Sequence, residues 1–161
     1  MDWSFILNIL TEFAFLLIVF GVMFFYTIFR GRQAIINLIF GLYLALLISL
    51  EFPYYSKLLG SISSTQSIAI AKLALFALFT FITTWLFSRI MPDEFQEKKT
   101  ETMGKKFMLA VGAAILVMIF SFHVLPVTEF LTPGTPVQSL FAPEGYFFWW
   151  LLLPLAILFL V

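Results

Sequence analysis

Cysteine is absent from the 161 residues and histidine occurs once, so the chain has no disulfide frame, no thiolate metal site and no cysteine nucleophile. Charge is scarce as well. Only 11% of residues are Asp, Glu, Lys or Arg, nine of each sign, and the formal net charge is zero. No Asp lies inside an apolar run, and neither a GxxxxGK[ST] phosphate loop nor a GxSxG nucleophile turn occurs; "MGKK" is merely basic. The lone His123 has no carboxylate three or four residues away on its own helix, as a helical metal site would need. These absences point to a non-enzymatic protein, and nothing in the pattern announces a cofactor, a metal or a nucleic-acid partner.

What is there in excess is apolar: 62% of residues are hydrophobic, 22 are Phe, and the mean hydropathy is +1.06. A water-soluble fold cannot hide that much, whereas a bilayer accepts apolar helices of about 20 residues. The reading is an all-α, polytopic integral membrane bundle in one membrane domain, 1–161. Helices are predicted over about 5–29, 33–50, 68–91 and 107–127, with a fifth C-terminal hydrophobic segment, 146–161, that either spans or re-enters. That last segment is 16 uncharged residues, short for a crossing, and carries Pro154, which would free the carbonyl of Trp150.

The basic residues set the expected orientation. Arg30 and Arg32 lie in a turn at 30–32, and Arg89, Lys98, Lys99, Lys105 and Lys106 lie in a loop at 89–106, so seven of nine share one face. Basic flanks stay cytoplasmic, which puts the N-terminus and a Pro/Gly-rich loop at 128–145 outside. Arg30, Arg32, Lys105 and Lys106 are then membrane-interface anchors, with lipid phosphate as a more specific target.

Packing between membrane helices depends on small residues and on hydroxyl hydrogen bonds. Gly41, Ala45 and Ser49 share a face of segment two, Ala77, Thr84 and Ser88 a face of segment three, and Ala110, Ala114 and Ser121 a face of segment four. These stripes predict segments two, three and four at the centre and segment one toward lipid. A different use of Thr80, Thr83, Thr84 and Ser88 would be as the lining of an oligomeric channel.

Two further features concern ionisable groups. Glu51 in "ISLEFP" and His123 in "FSFHVLP" close segments two and four, and form a candidate polar pair at the outer interface, the alternative being two separate anchors. Arg32 to Pro53 and Lys105 to Pro126 are both 21 steps, consistent with a parallel internal repeat or with the common grammar of membrane helices, basic start and proline stop.

The stretches "TIFRGRQAIINLIFGLYLALLISLEFPYYSKLL", "SIAIAKLALFALFTFITTWLFSRIM" and "GKKFMLAVGAAILVMIFSFHVLP" resemble the colicin V production protein (CvpA) family over about 5–127. The Arg30-Gly31 turn and its distance to "FPYY" carry most of that likeness. The resemblance implies a small bacterial inner-membrane protein linked to export of a peptide toxin or to envelope homeostasis. It would act through lipid, a second copy or other inner-membrane proteins. An oligomeric channel or transporter module is the second expectation and a membrane enzyme the third.

Overall fold

The computed structural model describes residues 3–60, 65–91, 103–123, 136–141 and 143–161. Among the described residues there are seven helices and no strand: α1 (Trp3–Arg30), α2 (Arg32–Glu51), α3 (Tyr55–Leu59), α4 (Thr65–Ile90), α5 (Met103–His123), α6 (Pro136–Phe141) and α7 (Glu144–Leu160). Four of them, α1, α2, α4 and α5, are long and apolar enough to cross a membrane. The chain is a multi-pass membrane bundle, with the shorter apolar α7 as its fifth long element.

The first reversal is tighter than its sequence suggests, because Arg30 still belongs to α1 and Arg32 already opens α2. Gly31 alone turns the chain. Its φ of 86° lies where a Cβ is strained, and its amide donates to the Thr27 carbonyl at 3.0 Å, closing α1. The other end of α2 stops at Phe52, held extended ahead of Pro53. Phe52 packs on Tyr55 at 5.0 Å and on Phe79 at 5.3 Å, while Ser49 and Tyr55 share a hydroxyl hydrogen bond of 2.7 Å. An aromatic knot therefore ties the α2–α3 corner to α4.

Burial identifies the centre. Of the apolar stretch of α5, 61% is buried, against 44% for α2, 11% for α4 and 6% for α1. The expectation that segment one faces lipid agrees with this, although Thr27 of α1 is fully buried and Phe15, Leu16, Val19 and Met23 pack on the core. The expectation for segment three does not. Only one side of α4 is covered, mainly by α2 with Phe76 also meeting Phe120 of α5, and Ala77 and Ser88 are exposed. The inward seam of α4 is Ala69, Phe76 and Thr83, spaced by seven residues. The reason lies across the interface: at Gly41 the α2 backbone comes so close to α4 that only one rotation of α4 fits.

At that crossing the Thr83 hydroxyl shares its one hydrogen between the Gly41 carbonyl at 2.8 Å and the Phe79 carbonyl of its own helix at 2.7 Å. A Cβ built on Gly41 would stand 2.9 Å from the Thr84 amide nitrogen and 3.0 Å from its Cα. The approach is backbone on backbone, as small-residue membrane interfaces allow.

On the other side, α5 carries α1 and α7. Gly112 leaves room for Ile157 and Pro154 of α7, 3.5 and 3.7 Å from where its Cβ would be. Lys105 reaches Val161, and the Phe122 ring lies parallel to Phe141, which in turn contacts Trp150. These pairings run in opposite directions along the two helices, so α7 lies antiparallel to α5 and ends level with its first turn. Seventeen residues give about 25 Å of helix, a few ångströms short of the roughly 30 Å of a hydrocarbon core.

Candidate functional site at the basic end of the bundle

The sequence singled out four basic residues at the turns, and the structure distributes them unevenly. Arg30 is exposed at the last position of α1, and Lys106 is half-buried in the first turn of α5. Arg32 and Lys105 converge. The Arg32 Nη2 donates to the Val161 carbonyl oxygen at 2.7 Å and the Lys105 Nζ donates to the same oxygen at 3.1 Å. Two cations from the first turns of α2 and α5 thus meet the C-terminal, negative end of α7.

One turn into α2 sits a pair that the sequence reading passed over. Gln33 donates through Nε2 to Asn37 Oδ1 at 3.1 Å, and the same nitrogen lies 4.0 Å from the Met91 sulfur. Asn37 is buried, only 4% exposed, at a depth where an amide without partners would be costly. The signal was available as two amides at i and i+4 in "RQAIIN". Together with Arg32, Lys105 and the α7 terminus, this makes the basic end the most polar region of the described bundle.

Deeper in, polar side chains serve backbone. The Thr27, Thr80 and Ser121 hydroxyls donate to the carbonyls of Met23, Phe76 and Val117, each four residues back. Tyr43 of α2 donates its phenol hydroxyl to the Leu151 carbonyl of α7, and the Leu155 amide faces the same phenol oxygen. The phenol thereby stands one residue beyond Trp150, whose carbonyl Pro154 leaves without its helical partner, and ties α2 to the proline-bearing turn of α7. Tyr43→Phe is expected to cost about 1–2 kcal/mol and to speed deuterium uptake in residues 151–158, with uptake in α1 unchanged, by hydrogen-exchange mass spectrometry. Nothing in the composition of segment two marks Tyr43 for that tie.

No protein family, curated protein or solved structure matches this chain. Its site is therefore read from geometry alone. Gly41, Ala45 and Ser49 are all buried on α2, and Ala110 and Ala114 are buried on α5, where Gly112 lies against Pro154 and Ile157 of α7. Glu51 is exposed at the last residue of α2. The His123 side chain lies outside the described residues, and with it the pairing to Glu51; residues 92–102 of the basic loop and 124–135 of the Pro/Gly-rich loop lie outside as well. Among the described residues, no group of three or more His, Cys, Asp or Glu side chains could hold a metal ion.

Proposed function

We propose that the chain is a non-enzymatic protein of a bacterial inner membrane that works through protein and lipid contacts, in toxin export or envelope homeostasis as the CvpA resemblance implies. The orientation that goes with this reading has the N-terminus outside and the basic turns cytoplasmic, supported by the seven basic residues gathered at one face. In the same reading α7 is a fifth crossing, supported by its antiparallel course along α5 to the level of Arg32 and Lys105.

The observation that carries the contact reading is the fate of the polar groups. A pore needs side chains free to replace ion hydration. Of the four hydroxyls that a channel would use, Thr80, Thr83 and Ser88 donate to the carbonyls of Phe76, Gly41 and Trp85. The Thr84 hydroxyl is buried against α2 without a partner, a packing contact rather than a lining one.

Two measurements test the proposal together. Ion flux through proteoliposomes is expected to equal that of empty liposomes; flux that Thr84→Leu and Ser88→Leu abolish would replace this reading with the channel. Deleting the gene in its native cell is expected to lower peptide-toxin export or raise envelope permeability, with rescue by the intact chain. Export and permeability both unchanged would contradict it.

A further inference from the structure

Gln33, in the first turn of α2, and Met91, one residue beyond α4, face each other where α2 begins and α4 ends, the level at which a bilayer gives way to headgroups and water. Both are half-buried. The Met91 amide donates to the Phe87 carbonyl at 2.9 Å, so the closing turn of α4 sets where its side chain starts. The two hydrogens on Gln33 Nε2 have different uses. One goes to Asn37 Oδ1 at 3.1 Å. The other points to the Met91 sulfur across 4.0 Å, about 1 Å longer than an N–H···O hydrogen bond, to an atom that accepts weakly. An oxygen carried on that sulfur fills the gap and accepts strongly. No other methionine among the described residues has this setting: Met118 is fully buried, Met23 packs on the core, and Met103 and Met108 are exposed on α5.

We propose that Met91 is a site of reversible oxidation by hydrogen peroxide, and that its sulfoxide fastens the basic end of α4 to α2. The thioether sulfur attacks one peroxide oxygen: the S–O bond forms as the O–O bond breaks, the sulfur gives up two electrons, and the second oxygen leaves as water with both hydrogens. The sulfoxide oxygen takes the second Gln33 N–H, and Asn37 keeps the first. A dithiol reductase reverses the step, its two thiols closing to a disulfide as the oxygen departs in water. The place matters because α4 has few fastenings. Among the described residues, its basic end has this contact and the Phe40–Phe87 ring pair at 5.7 Å, with the Gly41 crossing as the next tie along. One stronger hydrogen bond there restrains the last turns of α4, where Trp85, Ser88 and Arg89 are exposed. The proposal is independent of the export or envelope reading and of which leaflet the basic end faces.

The test uses the full chain in nanodiscs, with Met103→Leu and Met108→Leu so that the exposed methionines neither consume peroxide nor contribute to the readout. Dilute hydrogen peroxide is expected to place one oxygen on Met91, read by peptide mass mapping, while Met118 stays a thioether. Deuterium uptake in residues 84–91 is then expected to fall severalfold, and to recover when methionine sulfoxide reductase and dithiothreitol remove the oxygen. The chain has no cysteine, so the thiol reagent acts on it nowhere else. Met91→Gln, whose amide oxygen stands in for the sulfoxide, is expected to show the slow uptake without peroxide. In Gln33→Leu, Met91 is expected to oxidise with uptake unchanged. Met91 remaining reduced at peroxide levels that oxidise Met103 in the unsubstituted chain overturns the proposal. So does uptake that holds or rises once Met91 is oxidised, or a Gln33→Leu chain that still slows. The comparison of oxidised with reduced Met91 decides the question even if Gln33→Leu fails to fold.

Discussion

Gly41→Leu is expected to unfasten α4 from the bundle, at a cost of about 3 kcal/mol or more. The nearest atoms to the added Cβ include the Thr84 amide nitrogen at 2.9 Å and Cα at 3.0 Å, which are backbone and cannot rotate aside. The helices must separate, and the 2.8 Å hydrogen bond from Thr83 to the Gly41 carbonyl is lost with them. Because α2 covers most of the buried side of α4, with Phe76 on Phe120 of α5 as a smaller contact, little else holds α4 in place. Reversible unfolding in mixed micelles, followed by tryptophan fluorescence, gives the number. Two controls make the effect specific. Gly21→Ala on α1, where an added Cβ meets nothing within 4 Å, is expected to be neutral or stabilising by up to about 1 kcal/mol. Thr84→Ala is expected to be neutral or slightly stabilising, since it removes a buried hydroxyl that has no partner. Gly41→Ala combined with Thr84→Ala should recover only part of the loss, because the clash with the Thr84 backbone is unchanged.

Phe120→Ala is expected to cost about 2–4 kcal/mol, the second large effect. Phe120 is fully buried on α5 and meets Phe76 of α4 edge to face at 5.6 Å. In a bilayer the transfer of an apolar group from lipid to protein contributes little, so most of this cost is lost dispersion contacts and the cavity left behind. Phe81→Ala is the matched comparison. That ring is 72% exposed, and its removal should change stability by no more than about 0.5 kcal/mol. Similar losses for both variants would mean that α5 is not the centre of the bundle.

Length and charge made the architecture legible. Four apolar runs of spanning length, separated by basic or polar breaks, lead directly to α1, α2, α4 and α5, with boundaries displaced by a few residues because helices continue through Arg30, Arg32 and Lys105. Depth within the bundle was harder to read. Lipid and protein neighbours are equally apolar, so hydropathy does not tell a central helix from a peripheral one. Small-residue stripes helped on α2 and α5, where one face holds Gly41, Ala45 and Ser49 and another Ala110 and Ala114. They misled on α4, which has small residues on several faces; the Gly41 backbone contact, invisible in α4's own sequence, selects Thr83 and leaves Ala77 outward.

The basic end shows the same division. The positions of Arg32 and Lys105 at helix starts follow from the turns. Their convergence on Val161 joins residues 129 and 56 positions apart, through the register of α7 along α5, which no local pattern encodes. Tyr43 at Leu151 is a third case: the tie joins residues 108 positions apart, and only the packed structure places the phenol against α7.

The arrangement of the chain across the membrane is tested most directly by cysteine labelling from outside intact cells, since no native thiol interferes. Single cysteines are placed at Ser64, Thr100, Gly134 and Val161 and treated with an impermeant maleimide, before and after permeabilisation. Five crossings with a cytoplasmic basic end predict that the Ser64 and Gly134 sites react in intact cells, and that the Thr100 and Val161 sites react only once the membrane is opened. Reaction of the Val161 site together with Ser64 would contradict the crossing of α7, and reaction of Thr100 with protection of Ser64 would invert the whole bundle.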